Sequence, residues 1–250
     1  MLKKRGIIIM EKKNILINSK FLNKEMELKS YGHYGLTLLL FRNINTDDED
    51  FITIVNSLEH VINIGRCKVF ITDTTDNESW YDKSKQGFDS SKRHFEYNNF
   101  IEEELVPQIY NESGGAVPII TCGTFNGAFH AANSFFRRPD IFLGTIALSG
   151  YFNINEITDG YFDDNCYFNS PVHYLPNLND NYWLSYLMSR KHIYIASGSG
   201  EGEFPNKSIE FSNILTNKGI YNNLEIWGEE WDHSPKTWAA MLKYYLDKKL

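Results

Sequence analysis

Three places in this sequence carry residues that could do chemistry together: Gly123-Thr124-Phe125-Asn126-Gly127, the pair Glu201 and Glu203, and His233. A His that takes a proton, a carboxylate that fixes its tautomer and a turn that aims a nucleophile are the parts of covalent acyl transfer. The first segment has the outline of a nucleophile elbow, a sharp strand-to-helix turn with glycines on either side of a residue that is normally Ser. Here the central residue is Phe125. A phenyl ring has no proton for His233 to accept and no atom to attack a carbonyl, and it projects into the space a substrate carbonyl would fill.

The elements that must position these residues follow from the hydrophobic pattern. Val117 to Thr121 reads as a buried strand before the elbow, and Ala131, Ala132, Phe135 and Phe136 recur at helical spacing after it. Leu36 to Phe41 is a continuous apolar run typical of a strand covered on both faces. Asn14–Asn18 and Met26–Lys29 read as a short hairpin. Further strands are expected at Val69–Thr72, Ile146–Gly150, His192–Ser197 and Leu224–Trp227. Helices are expected at about 51–62, 91–110 and 209–215 and from Pro235 onward, with a long irregular excursion up to about Ser189. The acids Asp47, Asp48, Glu49 and Asp50 suit the first turn of the helix that follows them, by its dipole, better than they suit a metal. Alternating strands and helices predict an α/β fold, a mainly parallel sheet flanked by helices, with ligand-binding loops at the carboxyl ends of the strands. Those loops are 43–50, 73–90, 123–127, 149–190, 198–205 and 228–234.

Composition bounds the reading. A chain of 250 residues with 42% apolar and 15% aromatic content predicts one domain over residues 1–250, with about 151–190 as a cap-like excursion. A net charge of −7 argues against a nucleic-acid or anionic-membrane partner, and neither is expected. Lys3, Lys4, Arg5, Lys12 and Lys13 read as a solvated N-terminal arm. Cys67, Cys122 and Cys166 are odd in number and widely spaced, so neither a disulfide framework nor a metal knuckle is expected. Nothing resembles a signal peptide or a membrane helix, and a soluble protein of a reducing, bacterial-type cytoplasm is predicted.

The order of elbow, acid and His is that of an α/β-hydrolase. The chain resembles the esterase branch of that superfamily related to esterase D and to polyhydroxybutyrate-depolymerase-like proteins. The resemblance rests on Gly123-x-Phe125-x-Gly127-Ala128-Phe129-His130-Ala131-Ala132-Asn133, Arg138-Pro139-Asp140 and Leu148-Ser149-Gly150. It rests also on Glu78-Ser79-Trp80-Tyr81, Ser197-Gly198-x-Gly200 and His233 followed by Trp238. It implies an α/β-hydrolase fold with a small cap-like insertion and an ester-type ligand. Carried over by position, it puts Phe125 in the nucleophile slot, His233 as general base and Glu203 as the acid, with Glu201 as the alternative. The oxyanion hole falls to the backbone N–H of Asn126 and one near Asn43 or Ile44, and Trp80 and Tyr81 are candidates for substrate binding. Neither a cofactor nor a metal is implied.

Plainer readings stand beside these. Gly123 and Gly127 suit a close approach of helix and strand. His130 suits packing behind the elbow, and His33, His60, His94, His173 and His192 have no metal spacing. The glycine-rich run after Ser197 lacks the Lys-Ser/Thr of a phosphate loop. Thr124, Cys122 and Ser149 are poorly placed to replace a missing serine. The sequence therefore favours a non-catalytic esterase homologue that keeps its cleft or cap for a small ester-like ligand or a protein partner. The alternative is a working ester hydrolase whose nucleophile has been mutated in this chain, Ser and Phe being one codon base apart, or is supplied elsewhere.

Overall fold

The computed structural model describes residues 10–44 and 48–250. The basic residues Lys3, Lys4 and Arg5 and the acid Asp47 lie outside the described residues. Among the described residues, eight strands form one sheet: β1 (Lys12–Ser19), β2 (Lys24–Tyr31), β3 (Leu36–Phe41), β4 (Cys67–Thr72), β5 (Ile119–Thr124), β6 (Phe142–Leu148), β7 (His192–Ser197) and β8 (Asn223–Ile226). Their spatial order is β1-β2-β4-β3-β5-β6-β7-β8. β2 runs antiparallel to β1 and β4, and the pairs from β4 through β8 are parallel.

The helices are α1 (Asp48–Ser57), α2 (Glu59–Asn63), α3 (Gly87–Phe100), α4 (Val106–Ser113), α5 (Asn126–Arg137), α6 (Asp164–Phe168), α7 (Pro171–Asn177), α8 (Asn181–Ser189), α9 (Pro205–Asn217) and α10 (Pro235–Lys248). α3 and α4 are joined by a wide π turn over Ile101–Leu105, just before Pro107, which lacks the N–H of a regular turn.

The strand pattern sorts the core into two layers. On one face Leu39, Phe41, Phe70 and Ile195 pack with Tyr97, Phe100, Ala131, Phe135 and Phe211 from α3, α5 and α9. On the other, Leu38, Leu40, Ile71 and Cys122 pack with Ile54, Val55, Trp238 and Leu242 from α1 and α10. Neighbouring residues of β3 thus serve opposite layers, as a period of two requires. Each fully buried Leu, Ile or Phe contributes about 1.5–3 kcal/mol relative to exposure. Every residue of α5 from Asn126 to Phe136 is buried, which makes it the central helix of its layer.

The excursion after β6 is less irregular than expected, since it contains α6, α7 and α8. Its first part stays near the carboxyl ends of the strands, where Tyr151 and Ile154 join Trp80 and Phe129 in a small third cluster. Its later part runs along the flank of α5. The buried side-chain oxygen of Asn169 there accepts hydrogen bonds from Asn98, Asn133 and Arg137, tying the excursion to α3 and α5. Arg138 grips Asp140 with two hydrogen bonds of 2.9 and 2.8 Å and Glu102 with one of 2.7 Å, so Arg138-Pro139-Asp140 anchors the end of α5.

Candidate active site

The turn from β5 into α5 is as sharp as the glycine pattern demands. A Cβ on Gly123 would lie 2.1 Å from the carbonyl oxygen of Gly127, and one on Gly127 would lie 2.4 Å from that of Phe41. Both separations are impossible for a side chain, so the helix can dock on β5 and β3 only with glycine at both places. Phe125 sits at the tip with φ 51° and ψ −116°, a conformation that costs a non-glycine residue about 1–3 kcal/mol. Its N–H donates to Leu148 across the gap to β6, and its carbonyl accepts from Ala128 and Phe129 in the first turn of α5.

The Phe125 ring projects over the sheet ends. It meets His233 edge-on at 5.2 Å between centroids and an interplanar angle of 88°, and Tyr151 at 5.6 Å and 78°. His233 lies on the loop between β8 and α10, with its ring also edge-on to Trp238. The N–H of His233 donates to the carbonyl of Glu201, and Gly200 donates to the carbonyl of Trp231, so the glycine-rich loop after β7 carries the histidine loop.

The Glu203 side chain is fully buried, and its Oε1 lies 3.4 Å from Nδ1 of His233. Glu201 is exposed and contributes only backbone to this contact. Two hydroxyls hold the Glu203 carboxylate: Ser149 donates to Oε1 at 2.6 Å and Ser197 to Oε2 at 2.7 Å. Ser149 in turn accepts from the indole N–H of Trp238 at 3.1 Å, and it too has a positive φ of 50°. Its proton is directed at the carboxylate rather than at the imidazole. The Ser149 bond is much shorter than the His233 contact on the same oxygen, so the carboxylate is held chiefly by serines.

Beneath the tip lies a polar cluster that the sequence did not reveal. The carboxylate of Asp76, fully buried in the loop after β4, meets Nε2 of His130 at 2.9 and 3.0 Å. It also accepts from the side-chain amide of Asn126. Burial pushes the Asp76 carboxyl up, but the His130 charge and hydrogen bond, with the Asn126 amide, hold it below its ordinary value. His94 is buried beside His130, its Nδ1 accepting from the Trp80 indole at 3.0 Å, and burial pushes its pKa down to about 3. His130 thus packs behind the elbow, as its position in the sequence suggested.

The remaining candidates fall around this frame. Asn43 is buried and Ile44 half-buried directly after β3, and the N–H of Ile44 donates to Oδ1 of Asn126 at 3.1 Å. Trp80 is buried, with its indole N–H committed to His94, whereas Tyr81 is half-buried and packs with Phe125 against the third cluster. A groove of about 420 Å³ lined by Phe136, Arg137, Tyr167, Tyr174 and Trp183 lies at the far end of α5. At about 1.5 Å per helical residue, that is some 16 Å from the tip.

No family model and no curated protein matches the chain. Solved structures do. A ferulic acid esterase superposes with a TM-score of 0.74 at 17% identity, over 96% of this chain and 97% of its own. An S-formylglutathione hydrolase from Staphylococcus aureus gives 0.66 at 16%, over 99% and 98%. The fluorophosphonate-binding serine hydrolase F of the same organism gives 0.65 at 17%, over 95% and 97%. This is the α/β-hydrolase fold. The α/β-hydrolase sheet order explains why the elbow after β5, the acid after β7 and the histidine after β8 meet although they span more than a hundred residues. Among the described residues no helix is long and apolar enough to cross a membrane, and all three cysteines are buried free thiols.

Proposed function

We propose that this chain is an esterase-type α/β-hydrolase homologue disarmed at its nucleophile, whose cleft or cap serves to bind a small ester-like ligand or a protein partner. The observation that carries the reading is the Phe125 ring, which stands on a strained elbow tip and against the imidazole of His233. In a working site a hydroxyl would occupy that place and His233 would take its proton, with Glu203 fixing the tautomer. The hydrocarbon ring allows no such transfer. Glu203 is preferred over Glu201 as the acid because its carboxylate is the one turned toward Nδ1. Tyr81 is the better placed of the two aromatic residues to touch a ligand, because Trp80 is buried.

The second reading, an ester hydrolase whose serine has been mutated in this chain, is favoured by the His233–Glu203 contact, the base and acid that such an enzyme pairs. A substitute nucleophile is less favoured, because Ser149 is turned toward Glu203. The three buried thiols fit a reducing, cytoplasmic setting of bacterial type.

The test is hydrolysis of a short-chain aryl ester, together with labelling by a fluorophosphonate, for the unmodified chain and for Phe125→Ser. The expected result is silence in the unmodified chain and covalent labelling of Phe125→Ser that disappears when His233 is also changed to Ala. Turnover by the unmodified chain that is lost in His233→Ala would refute the disarmed reading.

A further inference from the structure

Asn126, the residue after the tip, is completely buried, and its carboxamide spans two partners. Oδ1 accepts from the Ile44 N–H at 3.1 Å and Nδ2 donates to the Asp76 carboxylate. The orientation of the amide is fixed by chemistry: a backbone N–H can face only its oxygen, and a carboxylate can face only its nitrogen. In α/β-hydrolases the oxyanion hole combines the N–H of the residue after the nucleophile with one N–H from the loop after the third strand. On this chain that second donor falls at Ile44 or its neighbour Asn43.

The N–H of Ile44 has one proton, and that proton is directed at Asn126. The carboxamide is not free to swing aside, because Asp76 holds its other end. Asp76 is itself held by His130 at 2.9 and 3.0 Å in a fully buried position. A ligand carbonyl entering over the tip therefore meets a donor already satisfied from within the protein.

We infer that the second oxyanion donor is the Ile44 N–H and that Asn126, by occupying it, is a second lock on this cleft, independent of Phe125. The inference rests on the disarmed-esterase reading above. It has a consequence that reading lacks: a serine restored at position 125 gains a nucleophile and a base but not full stabilisation of the tetrahedral oxyanion. The serine oxygen bonds to the ester carbon, its proton passes to His233, and the carbonyl electron pair moves onto an oxygen with only one of two backbone donors available. Removing one oxyanion donor typically costs about 10²–10³ in kcat.

The experiment compares Phe125→Ser with Phe125→Ser/Asn126→Ala in kcat and KM for a short-chain aryl ester and in the rate of fluorophosphonate labelling. It also follows exchange of the Ile44 amide proton in the unmodified chain and in Asn126→Ala. The double variant is expected to exceed the single one by about 10²–10³ in kcat with little change in KM. The Ile44 amide is expected to exchange at least about tenfold faster once Asn126 is truncated. Should Asn126→Ala fail to fold, Asn126→Ser replaces it, since its hydroxyl sits near the former Cγ, too short to reach the Ile44 N–H. Equal activity in the single and double variants overturns the lock while leaving the disarmed-esterase reading standing. Unchanged Ile44 exchange also overturns the lock. If neither serine variant turns over or is labelled while Ile44 exchange still accelerates, the esterase reading falls instead.

Discussion

The strain at the elbow tip can be measured directly by comparing Phe125→Ala with Phe125→Gly. Both variants remove the ring, and so both lose its edge-on contacts with His233 and Tyr151, which are worth about 0.5–1.5 kcal/mol each beyond burial. They differ in the backbone. Alanine retains a Cβ at φ 51° and ψ −116° and pays about 1–3 kcal/mol, whereas glycine enters that region freely. Glycine instead loses about 0.5–1 kcal/mol of chain entropy on folding. The difference leaves Phe125→Gly more stable than Phe125→Ala by about 1 kcal/mol, the reverse of the order found in an ordinary helix or strand. Urea unfolding followed by both fluorescence and circular dichroism reads this as a midpoint about 0.4 M higher for the glycine variant, at a slope of about 2.5 kcal/mol/M. An alanine variant as stable as the glycine variant, with equal slopes, would falsify the strained-tip geometry.

Two further outcomes follow from the polar groups around the tip. His94 is held neutral by burial with a pKa near 3, below its ordinary value of 6.5, so the unfolded chain binds the extra proton first as pH falls. Stability is then full above about pH 6.5 and falls by up to about 1.4 kcal/mol per pH unit between there and pH 3. The depressed Asp76 carboxyl adds a loss only at the acid end, below its unfolded value of about 3.9. Chemical denaturation across pH 4–8 should show this slope, and His94→Gln should flatten it; an equally steep slope in the variant would refute the assignment. Ser149→Ala removes the donor to Glu203 and the acceptor for the Trp238 indole, leaving buried polar atoms short of partners at about 1–3 kcal/mol. The thermal midpoint should drop by at least about 2 °C, and an unchanged midpoint would show that these bonds carry no stability.

The elements that the sequence revealed are those where burial on both faces leaves an unbroken apolar signal. β3 and β7 match their expected limits because each is covered by two layers, and α10 begins at Pro235, a residue suited to a first helical turn. β6 begins four residues earlier than expected, since Gly144 and Thr145 interrupt its apolar run although both are buried in the sheet. The helices α6, α7 and α8 were invisible because they span only five, seven and nine residues, too few for a period of 3.6 to declare itself. At the site, the elbow and His233 were legible from chain order, while the acid stood open between Glu203 and Glu201 until the structure placed the Glu203 carboxylate beside the imidazole. The cluster of Asp76, His130 and Asn126 was not legible, because its acid lies fifty residues before the elbow in a polar loop and nothing local marks that carboxylate as buried. The only chemical role weighed for Ser149 was that of a replacement nucleophile, whereas its observed contacts are with the acid and with Trp238.

The elbow keeps its shape around a residue that cannot use it, and the glycines explain why. The turn is set by the approach of α5 to β5 and β3, where Gly123 and Gly127 each face a backbone carbonyl at a distance that excludes any side chain. Position 125 is driven to positive φ by that packing, whichever residue stands there. Chemistry at the tip is therefore separable from the fold: a change of side chain at 125 leaves the address intact. The oxyanion side obeys the opposite logic. A working hole holds donors in wait for a charge that is present only during the reaction, and an unpaired buried donor costs about 1–3 kcal/mol in the resting protein. Once no oxyanion forms, an internal acceptor such as the Asn126 carboxamide recovers that cost. On the disarmed reading a closed hole therefore carries no penalty, and the two positions act on separate quantities: the ring at 125 on the chemistry, the carboxamide at 126 on the stability of the resting state.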